Sequence, residues 1–178
     1  KSTRSVISQP YRYGFIAPSR IHVAEESLPM LCKKAIEQNA SMILTESIPQ
    51  LLEWHDDVAN GGWRHFGNDL RWTAQWIYQM IEKRGTGGSG FRAMYRDFLD
   101  EVSQRYGQQL PQVAQLVPKM HKCASRWTEL ADFLCEFSKT EARMDDDSEL
   151  VLQRHLRQVM AAEVEYAARA LRAMPSKL

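Results

Sequence analysis

The segment Glu82–Tyr95, "EKRGTGGSGFRAMY", decides how the chain is organised, because it places four glycines within six positions between two apolar periodic segments. Lys83 and Arg84 come at the end of the first segment, where cations are favourable against the dipole of a helix C-terminus. Gly85 is placed as the left-handed residue that ends a helix, and Ser89 as the residue that caps the next one. The segment therefore predicts a tight corner between two helices.

Both neighbouring segments repeat apolar residues at helical spacing. The helix before the corner is predicted from about Trp63 to Arg84, and the helix after it from Ser89 to Tyr106, with Gly107 at its end. The apolar residues of the first helix recur three or four positions apart: Trp63, Phe66, Leu70, Ala74, Ile77 and Ile81.

Four further helices are predicted outward from this pair. Their first residues are expected near Ser27, Ser47, Pro111 and Ser148. Pro118 should kink or split the helix that follows Pro111, because proline removes one helical hydrogen bond and clashes with the preceding turn. The last helix is expected to run to Met174. No period-two run of strand length occurs, so we predict an all-α fold, a bundle of five to six helices with a short non-helical N-terminal arm.

The N-terminal arm covers residues 1–24, where two prolines and a glycine lie among aromatic residues, and Tyr11, Tyr13 and Phe15 recur at every second position. This pattern favours an extended segment over a helix. Because the chain opens with Lys1 rather than Met, we expect it to be a fragment. Residues 1–24 would then be an arm or linker from a missing N-terminal domain, and residues 25–178 the helical domain.

Composition excludes several classes of function. The chain has 178 residues, 44% hydrophobic, with a net charge of +1, which fits one globular domain without a field that attracts nucleic acid or an anionic membrane. No apolar run approaches the ~20 residues of a membrane span, and no signal peptide is visible. The cysteines Cys32, Cys123 and Cys135 match no metal or redox spacing, and the acidic cluster Glu53–Asp57 lacks the histidine spacing of known metal motifs. We expect no metal, and reduced thiols in a cytoplasmic protein.

Two interpretations of the glycine segment remain open at this point. It is either a corner alone, or an anion site in which loop N–H groups act with Arg92 and Arg96, which are four residues apart on one helix face. Local pairing of Arg96 with Asp100 is the alternative use of that arginine. The segment is not a Walker loop, because no Lys-Ser/Thr follows, and not a dinucleotide fingerprint, because a helix precedes it.

The residues of this segment also carry a family resemblance. They are Glu82, Lys83, Gly85, Thr86, Gly87, Gly88, Phe91, Arg92, Tyr95, Phe98, Leu99 and Glu101. Together they resemble the signature of the helical C-terminal domain found in butirosin biosynthesis protein H and its relatives. That signature is a helix ending in Glu-(Lys/Arg)-x-Gly-Thr-Gly-Gly, followed by Phe-Arg-x-x-Tyr-x-x-Phe-Leu-x-Glu. Trp127 and Leu130 resemble the Trp-x-x-Leu segment of the same family, and the resemblance extends more loosely from about Leu28 to Leu171.

The resemblance implies a two-part acyltransferase of specialised metabolism, for example of antibiotic biosynthesis. An N-terminal domain similar to papain-like cysteine peptidases would carry the nucleophile and move an acyl group from a carrier-protein phosphopantetheine thioester to an amine. The expected partners are an acyl carrier protein and the N-terminal catalytic domain, or a separate chain that provides it. No bound cofactor and no catalytic residue are expected in this chain: His121 and Cys123, two positions apart on a helix, point in different directions.

The candidate site for a substrate or anion comprises the loop and the start of the next helix. Its residues are Thr86, Gly87, Gly88, Ser89, Gly90, Arg92, Tyr95 and Arg96. On the resemblance, the loop amides and Arg92 would hold the phosphate of the pantetheine arm or a substrate carboxylate.

The alternative function is a non-enzymatic helical module for protein–protein interaction. The tryptophans Trp54, Trp63, Trp72 and Trp76 either line an apolar pocket or belong to the core, and Trp72 is the one predicted at an interface. Exposed aromatic residues also leave homo-oligomer formation open.

Overall fold

A computed structural model describes residues 24–85, 87–140 and 144–174. Every regular element in these ranges is helical, which confirms the predicted all-α fold. The arm predicted over residues 1–24 lies outside the described residues, apart from Ala24. No helix of the described part combines the length and the apolar character needed to cross a membrane.

The described ranges contain six α-helices. They are α1 (Leu28–Met42), α2 (Ile48–Ala59), α3 (Leu70–Glu82), α4 (Arg92–Tyr106), α5 (Val117–Lys139) and α6 (Asp146–Ala173). A π-helical segment, Ile43–Ser47, joins α1 to α2. Short 3-10 segments precede four of the other helices: Glu25–Ser27, Gly62–Asp69, Ser89–Phe91 and Pro111–Gln115.

Prolines and glycine set several of the helix boundaries. Pro118 splits the predicted long helix: a 3-10 turn ends at Gln115, and Pro118 lies in the first turn of α5, where its missing N–H costs nothing. The predicted start of the third helix at Trp63 is wrong, because Gly67 adopts φ +52 and interrupts the 3-10 segment, so α3 begins only at Leu70. α6 begins two residues earlier than expected, since the Asp145 carboxylate accepts a hydrogen bond from the Ser148 amide at 2.8 Å.

Two hydrophobic clusters form the core, and α5 and α6 take part in both. The first cluster joins α1 and α4 to one half of these helices, with Met120 on α5 and Tyr166 on α6. The second joins α2 and α3 to the other half, with Leu134 on α5 and Leu152 on α6. The two clusters therefore lie one after the other along α5 and α6.

Candidate functional site

The corner between α3 and α4 is built from a run of left-handed backbone conformations. Gly85 has the predicted left-handed conformation, with φ +77, but α3 ends three residues before it, at Glu82; Thr86 lies outside the described residues. Positive φ angles continue at Gly87 (+67), Gly88 (+86), Ser89 (+51), Gly90 (+54) and Phe91 (+70). Ser89 and Phe91 carry side chains, for which this conformation is strained. Such strain persists only where surrounding contacts hold the backbone, so the corner is more than a flexible connection.

Glu82 supplies those contacts. Its Oε1 accepts a hydrogen bond from the Ser89 amide at 3.1 Å and one from Thr128 Oγ1 of α5 at 3.0 Å. Since Thr128 gives its hydroxyl proton to Glu82, the Ser89 hydroxyl donates to Thr128 Oγ1, 2.9 Å away. Ser89 is consequently buried against α5, and its predicted role as the side-chain cap of α4 is wrong. The glutamate of the signature ties the glycine loop to the long helix.

Arg92, the first residue of α4, forms a buried ion pair with Glu163 of α6. Its Nε donates to Glu163 Oε1 at 2.7 Å, and its Nη1 donates to the Gly90 carbonyl at 2.9 Å. Trp127 Nε1 of α5 donates to the same Glu163 oxygen, also at 2.7 Å. The Glu163 side chain is 0% exposed and the Arg92 side chain 19%. These charge-assisted bonds join α4, α5 and α6 at the level where the two hydrophobic clusters meet.

An open cavity of about 450 Å³ adjoins this ion pair, and we name it the Arg92 cavity. It is lined by Ser47, Gln50, Leu51, Trp54, Gly90, Arg92 and Trp127. Arg92 is the charged residue of this lining, whereas Glu163 lies behind Arg92 and Trp127 without lining the cavity. A ligand in this cavity would thus contact the backbone of the corner at Gly90, one guanidinium, and polar and apolar side chains of α2.

Arg96 lies at a different cavity. It pairs with the neighbouring Asp97 at 2.7 Å, rather than with Asp100 as the alternative prediction had it. Together with Ser89, His121 and Thr128, it lines a second depression of about 310 Å³. The two arginines of the predicted anion site therefore do not converge on one cavity.

The remaining residues of the predicted site have structural surroundings. Tyr95 packs against Phe98 and accepts a hydrogen bond from the Tyr166 hydroxyl at 3.3 Å; burial raises the pKa of Tyr95 to about 12. Gly87 and Gly88 belong to the corner, but neither lines the Arg92 cavity. Of the predicted set, Gly90 and Arg92 reach that cavity.

The family assignment follows from a match along most of the chain. The model of the family described as "Domain of unknown function (DUF4872)" matches residues 8–170. The chain belongs to the DUF4872 family. Neither a curated protein nor a solved structure matches it.

Two residues of this DUF4872 domain were missed as candidates from the sequence. Glu163 follows Val159 and Ala162 and precedes Tyr166, so it is an acidic residue within the apolar stripe of α6. A carboxylate at such a position needs a buried partner, and that was the available signal. Gln50, on the exposed side of α2, gives no comparable signal, because exposed glutamine is ordinary on a helix surface.

Two thiols of the DUF4872 domain, those of Cys32 and Cys123, have surroundings that favour the protonated form. Cys123 is fully buried, and burial is the main cause that raises its pKa far above that of a free thiol. Burial and the negative charge of Glu101 also raise the pKa of Cys32. The cysteines are unpaired. Within the described ranges, no group of three or more His, Cys, Asp and Glu residues is arranged to hold a metal ion.

The four tryptophans selected from the sequence as a possible pocket fall into two groups. Trp54 and Trp63 line an apolar depression of about 340 Å³, and Trp54 also belongs to the Arg92 cavity. Trp72 is 66% exposed and stacks on Trp76 with 5.6 Å between ring centroids, and the Arg84 guanidinium lies 3.8 Å above the Trp76 ring. Trp72 is therefore accessible to a partner chain, and its predicted place at an interface stays a prediction.

Proposed function

We propose that this chain is the helical C-terminal part of a cysteine-dependent acyltransferase. The enzyme would move an acyl group from the phosphopantetheine thioester of a carrier protein to an amine, in the biosynthesis of antibiotics or other specialised metabolites. The observation that carries this proposal is the convergence of the signature residues. Glu82 ties the glycine corner to α5, and the same corner places Arg92 beside Trp127 in the wall of an open cavity.

The protonation of the Cys123 thiol supports the proposal that another domain carries the nucleophile. Acyl transfer through sulfur needs a thiolate, and burial holds the Cys123 thiol in its neutral form. Cys123 is therefore a poor nucleophile, and the proposal places the nucleophile on an N-terminal domain or a separate chain, while this chain completes the substrate cleft. Unpaired cysteines agree with the reducing conditions of the cytoplasm, where carrier-protein thioesters would be used.

In this proposal the Arg92 cavity receives the part of the substrate that lies away from the reacting thiol. Gly90 and Arg92 connect the cavity to the corner, and Gln50 and Trp54 of α2 form the opposite wall. A volume of about 450 Å³ falls in the range of ordinary small-molecule sites. Binding there would position the thioester for attack by the neighbouring domain.

The test uses the complete protein with an acylated carrier protein and an amine acceptor. Gln50→Trp fills the Arg92 cavity from its exposed rim without removing a buried group, and we expect it to lower the transfer rate at least tenfold. Gln38→Trp places the same side chain on the exposed surface of α1, away from the cavity, and should leave the rate unchanged. Wild-type transfer by Gln50→Trp would refute the role of the cavity. Absence of transfer from any acylated carrier by the wild-type protein would refute the function itself.

The exposed stripe on α3 favours a second candidate, the non-enzymatic interaction module. Trp72, Trp76 and Met80 recur every fourth residue and are 66%, 38% and 43% exposed, which is an unusual amount of apolar surface for one helix. Under this alternative, Trp72→Gln would abolish association with a partner chain, or self-association measured by light scattering. Gln50→Trp would have no effect in the same assay.

A further inference from the structure

The charges at the Arg92 cavity cancel. Glu163 Oε1 lies 2.7 Å from Arg92 Nε, and the Glu163 side chain is 0% exposed, so no water lies over the carboxylate to screen its field. The other lining residues carry no formal charge. An anion that enters the cavity would meet a guanidinium whose charge is already neutralised by Glu163. A neutral ligand has a smaller free-energy cost of desolvation than an anion.

Two buried polar atoms near the cavity have no hydrogen-bond partner among the described residues. One is Trp54 Nε1, a donor on a residue that lines the cavity, and the other is Glu163 Oε2, an acceptor. Unsatisfied buried polar groups are rare and destabilising in folded proteins, so each needs an explanation. Because Trp54 Nε1 is itself buried, an acceptor on a ligand reaches it only if the indole changes its rotamer on binding.

The lining also presents neutral groups that both donate and accept. Gln50 contributes a side-chain amide and Ser47 a hydroxyl. Arg92 Nη2 donates to none of the described residues, since Nε and Nη1 make the bonds to Glu163 and Gly90. These donors and acceptors are complementary to an amide group on a ligand, which has one carbonyl acceptor and one N–H donor.

We infer that the Arg92 cavity binds an uncharged, amide-bearing segment of a ligand. Its affinity for an anionic ligand is little higher than its affinity for the neutral equivalent. The identity of that segment rests on the proposed function: it is the pantetheine arm, whose two amides lie between the phosphate and the thiol. The arm lies along Trp54 and Gln50, and its phosphate remains outside the cavity in solvent.

A matched pair of ligands tests this inference on the chain by isothermal titration calorimetry. Pantetheine and 4′-phosphopantetheine differ by one phosphate, and we expect their dissociation constants to agree within about threefold. Inorganic phosphate alone should not bind. The inference is overturned if phosphopantetheine binds about tenfold or more tightly than pantetheine, as expected for a new charge-assisted contact to Arg92. It is also overturned if pantetheine does not bind.

Variants then locate the bound arm. Trp54→Phe removes the indole N–H together with the five-membered ring that carries it, and it should weaken pantetheine binding by at least about threefold, because both a hydrogen bond and ring contact are lost. Trp72→Phe makes the same change on the exposed stripe of α3 and should leave binding unchanged. Gln50→Ala, on an exposed helix surface, gives a second variant that does not disturb the core, and it should weaken binding similarly. Equal affinity of all three variants and the wild type would contradict the assignment.

The test of pantetheine binding and the test of acyl transfer can fail independently of each other. Acyl transfer by the complete protein together with failure of pantetheine to bind here would overturn the ligand and leave the acyltransferase assignment intact. Pantetheine binding that depends on Trp54, in a complete protein that transfers no acyl group, would overturn the enzyme assignment and leave the ligand.

Discussion

The buried ion pair between Arg92 and Glu163 makes a sharp prediction about stability. Arg92→Met removes the charge but keeps much of the apolar stem, so that packing against the neighbouring side chains is largely retained. It leaves Glu163, at 0% exposure, with only the Trp127 N–H as a donor. Removing one partner of a buried pair costs about 3–5 kcal/mol. Because Trp127 still donates, we expect the lower value, about 3 kcal/mol.

Substitution of the partner, Glu163, should lower the free energy of unfolding less than Arg92→Met does. Glu163→Gln keeps an oxygen that accepts from Arg92 and Trp127 but removes the negative charge. Arg92 is 19% exposed and adjoins an open cavity, so water can partly solvate the unpaired guanidinium. We expect a loss of about 2 kcal/mol. The double variant has no unpaired charge and should lose no more than about 2 kcal/mol, well below the sum of about 5, which gives an interaction energy of about 3 kcal/mol.

Urea unfolding followed by far-ultraviolet circular dichroism measures these four free energies, with tryptophan fluorescence as a second probe for two-state behaviour. Arg96→Met is the matched control, because Arg96 lies one turn further along α4 and pairs with an Asp97 side chain that is 66% exposed. A surface pair of this kind contributes about 0–1 kcal/mol. Equal losses for Arg92→Met and Arg96→Met, or additive losses in the double variant, would refute the argument from burial.

Three further predictions concern the corner and the surface. Glu82→Ala leaves the Ser89 amide without its acceptor, so we expect faster hydrogen exchange at that amide and a loss of about 1–3 kcal/mol, while an unchanged exchange rate would contradict the proposed tie. Gly88→Ala should cost about 1–2 kcal/mol more than Gly85→Ala in thermal unfolding. Both residues have positive φ, but only a Cβ at Gly88 would approach a side chain, the Glu82 carboxylate at 3.2 Å; equal costs would exclude that contact as the cause. Hydrogen bonds from two lysines of α5 lower the pKa of Glu165 from 4.5 to about 2, so its contribution to stability is present above pH 4.5 and is lost as the pH falls towards 2. Glu165→Gln should remove this part of the acid dependence, which urea titrations at pH 5 and pH 2.5 would show; identical profiles for the variant and the wild type would contradict it.

The helical fold was predictable because its signals are local. Apolar spacing indicates where the helices lie, and Pro118 marks the start of α5; both signals act within a few residues of the chain. The same locality explains the wrong start of α3. The apolar pattern continues through Trp63 and Phe66, but Gly67 leaves the helical region, and the cost of a glycine in this place cannot be judged from spacing alone.

The site was predictable only in part because its contacts join distant residues. Arg92 was selected from the sequence as a candidate anion-binding residue, which stays a prediction, but its partner Glu163 lies 71 positions away, and its Trp127 neighbour belongs to another helix. Ser89 looked like a helix cap because serine is favoured there, whereas tertiary contact with Thr128 turns it inward. A sequence pattern identifies which side chains carry chemistry, but not which charges cancel once the chain is folded.

This cancellation changes what the glycine signature can mean. Glu82 and the glycines have a structural reason to be present, since they build and brace a strained corner between α3 and α4. Arg92 has one as well, because it neutralises a buried carboxylate where the two hydrophobic clusters meet. A chain that shares the signature need not share a ligand. Under the proposed function, the residues left to select a ligand include Gln50 and Trp54 of α2, which line the cavity without supporting the corner.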